Sequence, residues 1–485
     1  MTVQTAIGPR VVGPRPHARP RRRRGVLTLS RFWTDLLRWD ALFTFGILAP
    51  QMFALQLKSL SPAISLLFSL ITCFYYRQWF FKILANRWFM LSIPVMSLAS
   101  VTWSAYPDMT LKYALEMSIL AVSMLVLSAS RRPMAVLAGA TAAFALFLIV
   151  SVALGSSVAM TIQGTGGASV EAFAGLNGGK NFMGMTACLS VLITIAFIVA
   201  AVQARSATLV AVATVVLCIE LYAGIAARSA GALIGLVAAL GVFWGAVALS
   251  RLSTRWRIGA IVLMSILMLL AAAFSGLIVR EVMDFASTAF NKDPTLTGRT
   301  YLWYRGQDLI QERPLLGRGF AAFWVQGNLD AEGLWQYGNI LQRSGFNFHN
   351  TVMELLIHYG WVGTSMAIAS SAIAAIALGR RIVMSPSLPA CFYLGFVAFE
   401  LTRMPLESLA PGPNDFESAL LFLALGFGFR SVPVNPMRKV RFRPMRSMKI
   451  ATPVAFQPQF QLVPGPVAAP RALPSQKKRL TGPRR

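Results

Sequence analysis

His349 opens the stretch HNTVMELLIHYGWVG (His349 to Gly363), where a polar loop runs into an apolar helical run. An imidazole titrates near neutrality and can take or return a proton at a substrate hydroxyl, or orient it. Thr351 and Glu354 have the spacing of a capping box, which starts the helix just after His349. The free N–H groups of that first turn carry positive partial charge and suit a phosphate. Gly360 follows His349 at close to three helical turns, so an unbroken helix would put both on one side. Gly360 and Gly363 are three apart, which permits close helix packing. Glu354 reads equally as a cap or as an acid–base group, and His358 as a polar core residue.

Other ionisable groups stand in or beside apolar runs: Glu116, Glu220, Arg228, Glu400 and Arg403. Such groups are costly inside a membrane and tend to be functional. The four cysteines, Cys73, Cys188, Cys218 and Cys391, form no CxxC pair and read as small apolar residues. No D-x-D pair is present to hold a metal-bound sugar nucleotide.

The elements that must position these groups are membrane helices. Hydrophobic residues make up 56% of the 485, and charged ones only 13%, about half of what a soluble domain carries. Apolar runs long enough to cross a bilayer recur along the chain. Without the alternation of barrel strands they read as helices. The expected fold is an all-α bundle of about twelve spanning helices, near 41–57, 60–76, 88–104, 112–130, 134–155, 182–203, 207–226, 230–249, 258–279, 351–378, 387–404 and 416–429. With the N-terminus inside, the inner loops collect Arg77, Lys82, Arg87, Arg131, Arg132, Arg205, Arg251, Arg255, Arg257, Arg380, Arg381 and Arg430. That leaves most of the 45 basic residues on one face, as the positive-inside rule requires.

Residues 1–39 and 431–485 then read as basic, Pro-rich, disordered cytoplasmic tails around a membrane domain at 40–430. The net charge of +27 is concentrated there, beside anionic lipid, and does not imply nucleic acid. The outer face carries a Gly- and Ser-rich loop, Ser156 to Asn181, and a long loop, 281–350, with a helical stretch ending at Pro314. Glu116, Glu220, Arg228, Glu354, His358, Glu400 and Arg403 all fall toward this face, as an outward-opening cavity would require.

Around His349 the sequence resembles the O-antigen ligase and polymerase superfamily, membrane glycosyltransferases that use undecaprenyl-diphosphate-linked glycans. The pattern of His, then Asn, nine residues, Gly, two residues, Gly is met by His349, Asn350, Gly360 and Gly363. The block TGRTYLWYRGQDLIQERPLLGRGFAAFW looks like the family's large-loop signature through Gly298, Arg299, Trp303, Pro314, Gly317, Gly319 and Phe320. GGKNFMG (Gly178 to Gly184), Arg228 with Ser229, and Asp108 are weaker matches. The resemblance runs from about Trp103 to Gly363 and leaves the tails out.

The resemblance implies catalytic roles for three residues. His349 would contact or deprotonate the acceptor hydroxyl, while Arg228 and Arg299 would hold the donor diphosphate. Guanidinium forks compensate a diphosphate's charge bidentately and would stand in for a metal. Lys180, Asn350, Trp303 and Arg318 are the expected substrate-binding residues, with Arg305 and Arg313 as surface charge. The expected enzyme is a metal- and cofactor-independent inverting glycosyltransferase in the bacterial inner membrane. Its partners would be the lipid-linked oligosaccharide donor, a glycan or lipid acceptor, membrane lipids and a chain-length regulator protein, with no nucleic acid. The loop block looks most like that of exopolysaccharide-production polymerases. A ligase acting on lipid A core or protein is the alternative within the superfamily, and a twelve-span polysaccharide transporter the alternative outside it.

Overall fold

The computed structural model describes residues 38–161, 169–176, 178–260, 262–263, 299–343, 345–409 and 412–430. Both tails, apart from residues 38 and 39, lie outside that range. So do most of the expected span at 258–279 and residues 281–298, Gly298 among them.

Helices dominate. In chain order the main ones are α1 (Trp39–Met52), α2 (Leu60–Tyr75), α3 (Trp88–Thr102, partly 3-10), α4 (Pro107–Leu127), α5 (Pro133–Leu154), α6 (Lys180–Ala204), α7 (Ala207–Ala226), α8 (Ala230–Leu249), α9 (Arg299–Glu312), α10 (Leu329–Tyr337), α11 (Thr351–Met384), α12 (Leu388–Arg403) and α13 (Phe416–Phe427). Six of them, α4 to α8 and α11, are long and apolar enough to cross a membrane. Apolar helices also stand at α1 to α3, α12 and α13, where the sequence predicts spans, but they are shorter.

Helix starts follow local chemistry. Pro107, Pro133 and Pro389 sit in first turns, where a missing N–H costs nothing. Ser206 caps α7, and Asp415 caps α13 by accepting from Glu417 N and Ser418 N. Glycines set close approaches: Gly139 lies against the Ala41 carbonyl, and Gly235 against Phe399 and Arg403.

The fold is not purely α. Ser156–Thr161 pairs antiparallel with Ser169–Gly175 inside the expected Gly/Ser loop. Val170, Ala172 and Ala174 alternate with Ser169, Glu171 and Phe173. Ala172 and Ala174 are buried, and Phe173 meets Tyr222 of α7. The run is short and bounded by glycines, so composition hides its period-2 pattern.

Helix α11 is broken at Gly360, where the sequence predicts one continuous span over 351–378. Gly360 has φ 62° and ψ −168°, a region open essentially to glycine alone. The segment after α9 threads through the break. Trp361 N–H donates to Pro314 O at 2.7 Å and Val362 N–H to Leu315 O at 3.1 Å. In return Arg318 N–H donates to Ile357 O at 2.7 Å and Gly319 N–H to His358 O at 3.0 Å. These four bonds to the loop take the place of helical hydrogen bonds lost at the break. A Cβ on Gly360 would stand 2.3 Å from the Leu315 carbonyl carbon, and one on Gly317 2.6 Å from Gly360 N. Gly363 has a different task, packing against Met96 of α3.

Gly360→Ala should therefore destabilise by about 2–5 kcal/mol, the sum of left-handed strain and a backbone clash. Thermal unfolding of the purified protein in detergent reads this directly. A melting temperature equal to that of the wild type would mean the break is not held by glycine.

Candidate active site

His349 lies between two clamps at the N-terminal end of α11. On one side Phe348 is fixed through both backbone groups. Its N–H donates to Glu354 Oε2 at 3.1 Å, and its carbonyl accepts from Trp303 Nε1 at 2.9 Å. Its ring is fully buried against Phe323 and Trp324. On the other side Asn350 caps the helix, its Oδ1 accepting from Met353 N at 3.0 Å. The cap is thus Asn350, not Thr351. Glu354 reaches back to Phe348 instead of closing a capping box, and it also accepts from Trp324 Nε1 at 2.9 Å. His349 itself takes φ 50°, and its N–H donates to Asn347 Oδ1 at 2.8 Å.

The α12–α13 loop is tied to the same place. Thr351 N–H donates to Met404 O at 3.0 Å, and Thr351 Oγ1 to Glu407 O at 2.7 Å. Leu409 N–H then donates to Thr351 Oγ1 at 2.9 Å. Thr351, expected as a cap, anchors this loop and so sets Glu407 in position.

Glu407 joins two of the residues singled out from the sequence. Its Oε2 is 3.2 Å from His349 Nδ1, and its Oε1 is 3.3 Å from Arg299 Nη2. All three side chains are partly buried and partly open. Burial alone would push the Glu407 carboxyl up. The His349 hydrogen bond and the charges of His349, Arg299 and Arg403 outweigh it and hold the group below the ordinary carboxylate range. A carboxylate on Nδ1 favours the tautomer with the proton there, leaving Nε2 as the basic nitrogen. Among the described residues no hydrogen bond reaches that Nε2.

The sequence contains one signal that could have found Glu407. It is the single acid between Glu400 and Asp415, in a Pro-rich loop on the same face as His349.

The other expected residues are distributed around this trio. Trp303 holds the chain before His349, and Asn350 holds the helix after it. Arg318 is paired with Glu312 and, at 3.4 Å, with Asp330. Arg305 is paired with Asp308 and Asp330. Those pairings tie α9 to α10 and the segment between them.

Arg228 sits exposed at the α7–α8 junction with φ 52°, and among the described residues no ion pair reaches it. It shares the end of the bundle with the trio. Ser229 beside it donates to Asn181 Oδ1 at 3.4 Å at the start of α6, and Phe182 stacks edge-on against Phe416 at the start of α13. Lys180 opens α6 there. Neither is brought into contact with His349. Among the described residues no three His, Cys, Asp or Glu side chains form a group that could hold a metal.

Residues 219–368 match the family described as O-antigen ligase. That stretch contains Arg228, Arg299 and His349, and it ends before Glu407. The chain is also 27% identical over 397 residues to the exopolysaccharide production protein ExoQ of Rhizobium meliloti (strain 1021), covering 78% of this chain and 87% of that protein. Six apolar helices of spanning length and both similarities agree with the motifs around His349. The chain is a multi-pass membrane protein that is similar, over residues 219–368, to the O-antigen ligase family.

Proposed function

We propose that this protein is a membrane glycosyltransferase that polymerises polyprenyl-diphosphate-linked glycan repeat units at the outer face of the cytoplasmic membrane. The observation that carries the reading is the Glu407 carboxylate held between His349 and Arg299. That arrangement can receive a proton on one side and compensate a leaving diphosphate on the other.

In the reaction, the acceptor hydroxyl gives its proton to His349 Nε2 as its oxygen attacks the anomeric carbon of the donor. The bond from that carbon to the diphosphate oxygen breaks, with inversion, and the polyprenyl diphosphate leaves. Glu407 keeps its hydrogen bond to Nδ1 and offsets the charge of the imidazolium that forms. Arg299, and Arg228 from across the same end of the bundle, stabilise the charge growing on the diphosphate.

A groove of about 660 Å³ is lined by Ile310, Val352, Leu356, Trp361 and Leu401, with Gln307, Gln311 and Asn350, the residue after His349. Its apolar walls suit a polyprenyl chain whose diphosphate reaches Arg299. The relative is named for exopolysaccharide production, which favours polymerase over ligase. The topology that goes with this function has twelve spans and both termini cytoplasmic, so the site faces outward.

Right-side-out membrane vesicles given a short-chain donor analogue should extend it in the presence of excess impermeant chelator. Activity confined to inverted vesicles would move the site to the other face. Extension that returned only on adding divalent metal would remove the arginines as sole electrophilic catalysts.

A further inference from the structure

Three arginines meet at the opposite end of the bundle. Arg87 precedes α3, Arg381 lies in the last turn of α11, and Arg430 follows α13. Their helices begin or end there, while the other ends of α11 and α13 flank the His349 site. Topogenic charge accounts for arginines that face water or headgroups, and Arg77, Arg131, Arg132 and Arg380 at this end are exposed. It does not account for Arg87, Arg381 and Arg430, which are 2%, 8% and 6% exposed.

These three share a small volume. Arg87 Nε donates to Gly426 O at 3.0 Å. The guanidiniums of Arg381 and Arg430 lie 5.2 and 5.5 Å from the centroid of the next residue's ring, Phe427. Arg381 Nη1 donates to Arg430 O at 2.6 Å. Among the described residues, Arg87 Nη2, Arg430 Nε and Arg430 Nη1 are buried with no partner.

The balance of charge is unfavourable as it stands. Among the described residues the acid acting on the cluster is Asp40, through Arg430, and its carboxylate already accepts the Tyr76 hydroxyl. Burial and mutual repulsion bring both Arg87 and Arg430 down to about 10. Buried guanidinium N–H groups left unpaired are costly, and removing the cost needs acceptor oxygens carrying negative charge.

We propose that Arg87, Arg381 and Arg430 form a phosphate-binding site at the end of the bundle opposite His349, occupied by the headgroup of an anionic phospholipid or by free phosphate. A phosphate offers several acceptor oxygens and the geometry that guanidinium forks match. Arg381 and Arg430 both lie over the Phe427 ring, which orients them. The site is independent of the proposed reaction, because it uses none of its residues.

The test uses the full-length protein, purified and delipidated in neutral detergent. One arm titrates inorganic phosphate against chloride at matched ionic strength. The other titrates phosphatidylglycerol against phosphatidylcholine in the micelle. The melting temperature should rise with at least one of the two phosphate probes, and the arm that responds identifies the source. Arg87→Gln and Arg430→Gln should each weaken that response by about 10- to 100-fold, as expected for losing a charged hydrogen-bond donor. The exposed pair Arg77→Gln and Arg131→Gln should leave it unchanged.

No rise with either probe, or an equal loss in the exposed pair, would overturn the site. Should the buried variants fail to fold, native mass spectrometry of the wild type decides. A retained phospholipid or phosphate adduct supports the site, and its absence at saturating probe rejects it.

Discussion

His349→Ala is expected to abolish glycan transfer while the protein stays inserted at its normal level. Removing a general base costs about 10²–10⁴-fold. The side chain is only partly buried, and its hydrogen bond to Glu407 joins a loop already tied down through Thr351 and Asn350. The stability lost should stay near the surface range, within about 0.5 kcal/mol. One complication is the backbone, because His349 has φ 50° and alanine tolerates that conformation poorly. His349→Asn controls for it. Asparagine accepts the left-handed region, and its amide can still donate to Glu407, yet it has no basic nitrogen. Both variants should be inactive, and the asparagine variant should melt as the wild type does. Complementation of a deletion strain, with membrane levels checked by blotting, reads the outcome. Single lipid-linked repeats accumulating in the variants support a polymerase; long lipid-linked chains support a ligase. Normal polysaccharide from His349→Asn would sink the mechanism.

Helix placement was legible because it is local. Apolar runs locate α5 to α8 in the sequence to within about two residues, and α4 less closely. What was not legible depends on contacts between distant segments. A glycine in an apolar helical run reads as a packing glycine; that Gly360 breaks α11 follows from hydrogen bonds to Pro314 and Leu315. Glu407 lies 58 residues from His349, and no periodicity connects them. Arg87, Arg381 and Arg430 are indistinguishable in sequence from their exposed neighbours, because burial is set by which helix ends meet. Arg299 was found only through the resemblance, since a lone arginine after a glycine has no physical signature of its own.

The structure sharpens the expectation at Arg299. Its Nη2 is engaged by Glu407, so in the proposed reaction a diphosphate would meet the other N–H groups of the same guanidinium. Lysine has the charge but not the planar fork, and its single ammonium cannot serve both partners in that geometry. Arg299→Lys should therefore be almost as impaired as Arg299→Ala, by about 10²–10³-fold, the range for one preorganised electrostatic donor. Arg313→Ala, exposed beyond the end of α9, should be nearly silent.

A pH series separates loss of chemistry from loss of the ion pair. Glu407 titrates below the ordinary carboxylate range when folded. Its pairing therefore contributes stability above the unfolded value and loses it only as pH falls through the lower folded one. At neutral pH the pair is intact in the wild type, and Glu407→Gln removes the charge without acid. If Arg299 acts only by holding Glu407 in place, Arg299→Lys should keep most activity at neutral pH, because an ammonium still pairs with the carboxylate. If it also holds the diphosphate, Arg299→Lys should stay inactive at every pH where Glu407 is ionised. A lysine variant with near-normal chain extension at neutral pH would reduce Arg299 to a support for Glu407.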